Sequence, residues 1–235
     1  MSNPYFQFKK FTIWQDRCAM KVGTDGVLLG AWAPSDNAQN ILDVGTGTGL
    51  IALLLAQRNK EASITAVEID TEAASQAEEN VMRSPWNDRI QVICENFRSF
   101  ESDTTFDLIT CNPPYFTNAL KCPDIKRSMA RHALDLNYIS LLEHSRELLC
   151  EQGLLCIIIP AQQEVEVVDI AWRYGLYPIR LTYVYTIMGK PHRRVLLCFS
   201  QHDTPCIKDK LYIKDSTQFF SSEYRQLVGE FYLNM

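Results

Sequence analysis

Short apolar runs and helix-length segments alternate along most of the chain, from Ile41 to Gln201. The first run, "NILDVG", precedes "LIALLLAQR", in which apolar residues occupy nearly every side of a helix, and a second run, "SITAVEID", follows. A helix that is apolar all round is buried against a sheet. Strands that alternate with helices favour parallel pairing and right-handed crossovers. This alternation therefore predicts an α/β fold.

Caps and periodicity predict the remaining elements of this region. We expect Thr71 to cap a helix with an alanine-rich stripe, and "RIQVIC" and "FDLIT" to form the third and fourth strands. Asn137 is expected to cap a further helix, which Gly153 ends before the fifth strand, "LLCIIIP". Residues 164–174 are predicted to be helical. The runs "YPIRLTYVY" and "RRVLLCFSQ" are predicted to form a terminal antiparallel pair.

Both ends of the chain carry additional elements. The alternation in "YFQFKKFTIWQD" predicts an N-terminal hairpin, and Thr24 or Asp25 is expected to cap a short helix after it. At the other end, "KLYIKD" predicts a strand, and the apolar stripe from Tyr224 to Phe231 predicts a helix. No linker or repeat interrupts the chain, so we expect one domain over residues 1–235, with an extension over 1–40, a core over 41–201 and a C-terminal strand and helix over 202–235.

Composition argues against several classes of protein. No apolar stretch is long enough to span a bilayer and no N-terminal signal is present, so we expect a cytoplasmic protein. The eight cysteines form no CxxC pair and none of the four histidines belongs to a Cys/His cluster, which favours reduced thiols and no metal site. A net charge of −5 opposes nucleic-acid binding by the whole surface but permits a local basic patch.

A glycine-rich turn, "LDVGTGTGL", joins the first strand to the first core helix. Its glycines, Gly45, Gly47 and Gly49, allow a ligand to approach the backbone beside a helix N-terminus. Glu68 ends the second strand about 20 residues later, where a carboxylate can accept both hydroxyl protons of a ribose. The GxGxG spacing differs from the GxGxxG of dinucleotide folds. Asp43 would repel a pyrophosphate but would hold an amino-acid ammonium group, directly or through water.

The motifs "DVGTGTG" and "AVEID" resemble those of class I S-adenosylmethionine-dependent methyltransferases. This resemblance implies S-adenosylmethionine as the cofactor, with the methionine portion and the ribose held at these two motifs. It also implies a Rossmann-like sheet of seven strands, mostly parallel with an antiparallel last strand and with helices on both faces. A third-strand position that usually carries Asp in this family falls in "CENF", where Asn96 is the expected contact of the adenine and Glu95 is the alternative.

The fourth strand ends in "NPPY", residues 112–115. Pro113 and Pro114 cannot extend a sheet ladder, so the chain leaves the sheet as a stiff, extended loop beside the expected ligand crevice. The motif resembles the [DNS]PP[YFW] signature of methyltransferases that modify an amine conjugated to a ring or carbonyl. The resemblance implies that the Asn112 side-chain oxygen and the Pro113 carbonyl accept the amine hydrogens and that Tyr115 stacks on the planar group.

Basic residues cluster in two segments that we expect to border this site, "KCPDIKRSMAR" and "GKPHRR". Such clusters suit the phosphates of a nucleic acid, although solvated loop charges in an acidic protein would give the same pattern. The candidate RNA-binding residues are Lys121, Lys126, Arg127 and Arg131 in the first cluster and Lys190, Arg193 and Arg194 in the second.

Nearly the whole chain is similar to the bacterial valine-tRNA adenine-N6 methyltransferases, through "FQFKKFTIWQDRCAMKVGTDGVLLGAWA", "NPPYF", "ARHALDL" and "PHRRVLLCFS". That family methylates the adenine just 3′ of the anticodon, which implies tRNA as the partner. It also implies that Lys21, Thr24 and Asp25 help to close the cofactor pocket. An unpaired loop base is easier to extrude than a duplex base, which suits a compact enzyme. The alternatives are a protein-glutamine N5-methyltransferase and a non-catalytic RNA-binding module that retains the pocket.

Overall fold

The computed structural model describes residues 3–18, 20–114 and 137–235. Within them the chain forms ten strands: β1 Tyr5–Gln7, β2 Thr12–Trp14, β3 Asn40–Val44, β4 Ser63–Glu68, β5 Ile90–Cys94, β6 Phe106–Cys111, β7 Leu149–Pro160, β8 Tyr177–Ile187, β9 Arg194–Ser200 and β10 Ile207–Lys214. The helices are α1 Thr24–Trp32, α2 Leu50–Arg58, α3 Thr71–Met82, α4 Tyr138–Leu148, α5 Glu164–Arg173 and α6 Ser222–Val228. In this part of the chain, no helix is long and apolar enough to cross a membrane.

Eight of the strands form one sheet in the order β10-β8-β9-β7-β6-β3-β4-β5. All neighbours are parallel except β9, which is antiparallel to both β7 and β8. The predicted mostly parallel sheet with its reversed strand is confirmed, as is the N-terminal hairpin of β1 and β2. The strand count is eight rather than seven because β10, expected in the C-terminal extension, joins the sheet edge beside β8.

Alternate residues of the central strands fill two cores on opposite faces of the sheet. Ile41 of β3 belongs to a core that α1, α2, α6 and the hairpin cover, whereas Leu42 belongs to a core that α4 and α5 cover. The α2 helix is buried along nearly its whole length, as its all-round apolar sequence predicts. Burial of both faces explains the continuous apolar runs of β3, β6 and β7.

Three predicted element boundaries are wrong. Asp70, not Thr71, caps α3, because its carboxylate accepts a hydrogen bond from the Ala73 N–H. The N-cap of α1 is Gly23, which has no side chain to contribute a hydrogen bond, and Thr24 and Asp25 lie in the first turn. Asn137 does cap α4, with Ser140 completing a reciprocal pair of hydrogen bonds.

The third wrong boundary is at Gly153, which lies inside β7 instead of ending α4. A Cβ atom at this position would lie 2.6 Å from the Phe106 carbonyl oxygen. The pairing of β6 with β7 is irregular at this point, between Phe106 and Leu108. Glycine is therefore required for the close approach of two strands and not for a helix end.

Candidate active site at the carboxyl edge of the sheet

A cavity of about 760 Å³ opens where β3, β4, β5 and β6 end. In an open α/β sheet, ligands bind outside the carboxyl ends of the strands, where the strand order reverses. Here that point is β3, with β4 on one side and β6 on the other. The lining comes from five segments that lie far apart in the chain, within residues 17–26, 44–51, 67–73, 95–97 and 111–114.

The glycine turn forms one wall of the cavity. Gly45, Gly47 and Gly49 all have positive φ angles, of 66°, 58° and 80°. Gly45 and Gly47 line the cavity, whereas Gly49 lies behind it as the N-cap of α2, where an added Cβ would contact Ala77 of α3 at 3.6 Å. An L-residue with a side chain would be strained in this left-handed conformation, so the turn depends on glycine.

Glu68 faces the cavity from the end of β4 and is 9% exposed. One carboxylate oxygen accepts a hydrogen bond from the Gly47 N–H at 2.8 Å, and the other accepts from the Asp70 N–H at 3.0 Å. The two motifs that the sequence separates by 21 residues are thus joined directly. Because each carboxylate oxygen can accept more than one hydrogen bond, Glu68 keeps acceptor capacity for a ligand while it holds the turn in place.

Asp43 lies beneath the turn and not in the cavity lining. It is fully buried, and it accepts hydrogen bonds from the Thr46 hydroxyl at 2.6 Å and the Thr110 hydroxyl at 2.9 Å. Burial raises the pKa of this carboxyl to about 6, although both hydroxyl groups act in the opposite direction. Asp43 therefore ties the turn to β6 from beneath the cavity wall.

The end of β6 brings the proline motif to the cavity. Asn112, Pro113 and Pro114 all contribute to the lining. The side-chain oxygen of Asn112 is buried and accepts no hydrogen bond from the residues that the structure describes. A buried acceptor without a donor is costly in free energy, and such atoms deserve a functional explanation. The fourth predicted member of the motif, Tyr115, lies outside the described residues.

Both candidates for the adenine contact, Glu95 and Asn96, line the cavity after β5. The Asn96 side-chain oxygen accepts a hydrogen bond from the Arg98 N–H at 3.0 Å and so caps the short 3₁₀ turn Phe97–Ser99. Its position is fixed by the backbone, and the oxygen has a second lone pair for a ligand. The Glu95 N–H donates to the Glu68 carbonyl, which places the two acidic residues on neighbouring strand ends.

Lys21, Thr24 and Asp25 lie in the cavity lining, at and before the start of α1. The Asp25 carboxylate accepts a hydrogen bond from Nε of Arg194 at 2.8 Å, and both side chains are mostly buried. Arg194, a candidate for RNA binding, is thus placed in an ion pair that braces the cavity wall. Lys190 and Arg193 are exposed on the connection between β8 and β9. The four basic candidates Lys121, Lys126, Arg127 and Arg131 lie outside the described residues.

Sequence reasoning missed several residues of this site. Cys18 and Met20 line the cavity because the segment after the hairpin folds over the turn, and the sequence carries no signal for that path. Ile69 and Phe97 also line it. Ile69 directly follows the acidic end of β4 and is 51% exposed. No cluster of metal-ligating side chains occurs in the described part of the chain.

Comparisons with known proteins agree with this geometry. Residues 20–172 match the family described as the methyltransferase small domain. A tRNA1(Val) (adenine(37)-N6)-methyltransferase from Bacteroides thetaiotaomicron is 50% identical over the full length of both chains. The protein of the same name from Tolumonas auensis is 43% identical over all of this chain and 99% of its own.

Solved structures with lower identity share the fold. A protein from Agrobacterium tumefaciens, described as a predicted O-methyltransferase, superimposes with a TM-score of 0.72 at 17% identity, over 88% of this chain and 96% of its own. A ribosomal protein L11 methylase from Lactobacillus delbrueckii subsp. bulgaricus gives a TM-score of 0.55 at 19% identity, over 76% and 77% of the two chains. At such identities these two structures support the fold and nothing finer.

Proposed function

This chain belongs to the methyltransferase small domain family, and we propose that it transfers a methyl group from S-adenosylmethionine to N6 of adenine 37 in a valine tRNA. Relatives at half identity over the full length carry that activity in their names. The structural observation that carries the proposal is the side-chain oxygen of Asn112, a residue of the cavity lining, which is buried and accepts no hydrogen bond within the described part of the chain. The exocyclic amine of an adenine would donate the hydrogen bond that this oxygen does not receive from the described residues.

The cavity fits S-adenosylmethionine as the methyl donor. Its volume of about 760 Å³ lies within the range of small-molecule sites. We propose that Glu68 accepts the ribose hydroxyl protons and that the Gly45–Gly47 turn, held over Asp43, surrounds the methionine portion. Asn96 or Glu95 then accepts from the adenine amine while Ile69 covers its ring. Lys21, Thr24 and Asp25 close the pocket from α1, and Gly49 allows α2 to start at the turn.

The target nitrogen is a weak nucleophile because its lone pair is delocalised into the adenine ring. We propose that the Asn112 side-chain oxygen and the Pro113 carbonyl accept its two hydrogens, which favours a pyramidal nitrogen with its lone pair directed at the donor. The cofactor supplies an electrophilic methyl group on a sulfonium. As the new N–C bond forms, the methyl–sulfur bond would break and the sulfur would leave as a neutral thioether. The nitrogen then becomes positive and its proton acidic enough to pass to water, so no separate base is needed before transfer. Pro114 stiffens the loop, and we propose that Tyr115 stacks on the base.

A tRNA substrate indicates in which compartment the protein acts and which residues contact the RNA. We propose that the protein acts in the cytoplasm, where tRNA and reduced thiols occur together, and the seven described cysteines are all free. Lys190 and Arg193 are proposed contacts of the RNA backbone, together with the basic candidates in the segment 121–131. No metal is required by this chemistry.

The experiment is to incubate the purified protein with labelled S-adenosylmethionine and tRNA from cells that lack this gene. Nucleosides from the digested tRNA are then identified by mass spectrometry, and the modified position is mapped by oligonucleotide fragments. We expect N6-methyladenosine at position 37 of a valine tRNA. The Asn112→Ala variant should form product about 10²- to 10³-fold more slowly, whereas Asn87→Ala, at an exposed asparagine before β5, should match the wild-type protein.

Two other outcomes would replace this proposal. Label in protein that survives ribonuclease would favour a glutamine N5-methyltransferase. Unlabelled RNA together with full cofactor affinity, and unchanged tRNA affinity in Asn112→Ala, would favour a non-catalytic RNA-binding module.

A further inference from the structure

We propose that one face of the sheet edge formed by β8 and β10 docks the anticodon stem-loop of the substrate tRNA and holds unpaired nucleotides of the loop and their phosphates. We call this face the β8–β10 platform, and its residues are Tyr183, Tyr185, Lys208, Lys210, Tyr212 and Lys214. The inference rests on the proposed function, since it assigns a binding surface to the same RNA whose loop enters the cavity.

Strand register places these side chains on one face. In the parallel pairing of β8 with β10, Lys210 lies beside Tyr183, Tyr212 beside Tyr185, and Lys214 beside Ile187. The residues between them point the other way, because successive side chains of a strand alternate. Leu211 and Val184 accordingly belong to the core beneath α1 and α2. Tyr183 packs against the opposite core, so the platform is the outer continuation of the face that α4 and α5 cover.

The platform combines flat aromatic rings with cations. The rings of Tyr185 and Tyr212 stack at 4.8 Å, with 28° between their planes. His192, from the β8–β9 connection, contacts Tyr183 at 4.9 Å and Tyr185 at 5.5 Å. All four rings are only half-buried, and Lys208 and Lys210 beside them are exposed. Aromatic rings interleaved with lysines are the surface that proteins use to hold single-stranded or looped RNA by stacking and phosphate contact.

The charge of this region contrasts with the rest of the protein. Residues 188–214 hold six basic and two acidic side chains, a net charge of +4, in a chain whose net charge is −5. Of the two acids, Asp203 is exposed before β10, and Asp209 lies on the opposite face in an ion pair with Arg180 at 2.9 Å. Two further carboxylates border the platform: Glu164 accepts a hydrogen bond from the Tyr183 hydroxyl, and Asp215 accepts from Thr217. These hydrogen bonds leave both charges in place, and the three platform lysines, Lys208, Lys210 and Lys214, outnumber them.

The platform extends to the carboxyl ends of β8 and β10, the side of the sheet on which the cavity opens. Both β8 and β10 run parallel to β6, so Ile187 and Lys214 end at the edge where Asn112 meets the cavity. Four strand spacings of about 4.8 Å separate β6 from β10, a distance of about 19 Å. A base held at Asn112 would bring other unpaired nucleotides of its loop, and the phosphates that join them, across this distance.

Lysines also protect edge strands from pairing with other sheets, and β10 is an edge strand. Lysines that only protect an edge strand would affect solubility but not RNA affinity. Measuring the KM for tRNA therefore distinguishes edge protection from RNA binding. The test variant is Lys210→Ala/Lys214→Ala, which removes the two lysines at the end of β10 nearer the cavity. The matched control is Lys10→Ala/Lys60→Ala, which removes the same charge from exposed lysines outside the platform and the cavity.

We expect the KM for tRNA to rise about tenfold in the test variant, with kcat and S-adenosylmethionine affinity unchanged. A plot of the logarithm of tRNA affinity against the logarithm of salt concentration has a negative slope. This slope should become shallower by about 1.5 to 2, because two phosphate contacts are lost. The control should change neither quantity. Tyr212→Ala should weaken tRNA binding at least about fivefold and Tyr212→Phe should restore it, since stacking needs the ring and not the hydroxyl. An isolated anticodon stem-loop should show the same losses.

A KM and salt slope in the test variant equal to those of the control would overturn the platform while leaving the proposed function intact. Losses seen with whole tRNA but not with the isolated stem-loop would overturn the assignment to the anticodon stem-loop. An unmodified protein that methylates no tRNA would instead refute the proposed function itself.

Discussion

The buried carboxyl of Asp43 leads us to expect that this aspartate makes the protein less stable as pH rises, which is the reverse of the usual effect of an aspartate. Burial raises its pKa from 3.8 to about 6, so folding favours the protonated form. The unfolded chain loses this proton near pH 4 and the folded chain only near pH 6. Between these values the folded state binds more protons, and the free energy of unfolding therefore falls as pH rises.

The size of the effect follows from the two pKa values. A difference between 3.8 and about 6 corresponds to about 3 kcal/mol, at about 1.4 kcal/mol for each pH unit. The Asp43→Asn variant carries no ionisable group here and retains an oxygen that accepts from Thr46 or Thr110. We expect it to match the unmodified protein near pH 3.5 and to exceed its stability by up to about 3 kcal/mol at pH 7. Urea unfolding measured at half-unit pH steps checks this difference.

Asp107 provides a control, because its pKa is lowered by folding whereas that of Asp43 is raised. Although partial burial acts to raise its pKa, hydrogen bonds from the Asn40 and Gln39 N–H groups and from Cys150 lower it overall. Its contribution to stability is present above the unfolded pKa and is lost as pH falls through the lower folded pKa. Asp107→Asn should therefore destabilise the protein at pH 7 and have no effect in acid. If the stability difference between Asp43→Asn and the unmodified protein is the same at pH 4 and pH 7, the reasoning about Asp43 is refuted.

Three further changes test the site and its support. Glu68→Gln should raise the dissociation constant of S-adenosylmethionine about 10- to 100-fold in calorimetry, because a charged acceptor for Gly47 and the ribose is lost; an unchanged constant would exclude the ribose role. Asn112→Ala should lower kcat/KM about 10²- to 10³-fold while thermal stability stays equal or rises, and a clear fall in melting temperature would contradict the unpartnered state of its oxygen. Gly30→Ala should cost about 1 to 3 kcal/mol in thermal unfolding, since its Cβ would lie 2.8 Å from Leu54; wild-type stability would show that α1 and α2 separate easily.

Local patterns were sufficient to predict the elements and the sheet. The apolar run of α2 and the strand that ends at Glu68 follow from periodicity, and the turn between β3 and α2 follows from its glycines. The boundaries were less accurate because the cap depends on which side chain reaches a free N–H. Asp70 and Thr71 are both good caps by residue type, and only the helix geometry selects Asp70.

Long-range contacts explain what the sequence did not predict. Thr110 looks like an ordinary β-branched strand residue, and its role appears only when register places it beside Asp43 on the neighbouring strand. Arg194 belongs to a basic cluster in the sequence, yet 169 residues separate it from the carboxylate that it contacts. The edge position of β10 likewise depends on pairing with β8 and not on its own composition.

The two costly polar atoms of the site lie on neighbouring strands and have a common consequence. Asp43 and the residue before Asn112, Cys111, occupy the ends of β3 and β6, which pair in register through Val44 and Cys111. A buried carboxyl and an amide oxygen with no hydrogen-bond donor among the described residues both destabilise the folded state, and a substitution at either position that leaves the core intact would remove that cost. The apolar residues on both faces of these strands offset that cost. The site is therefore a region where the fold gives up stability to present an acceptor and a fixed turn, which predicts that stabilising substitutions at Asp43 and Asn112 reduce methyl transfer.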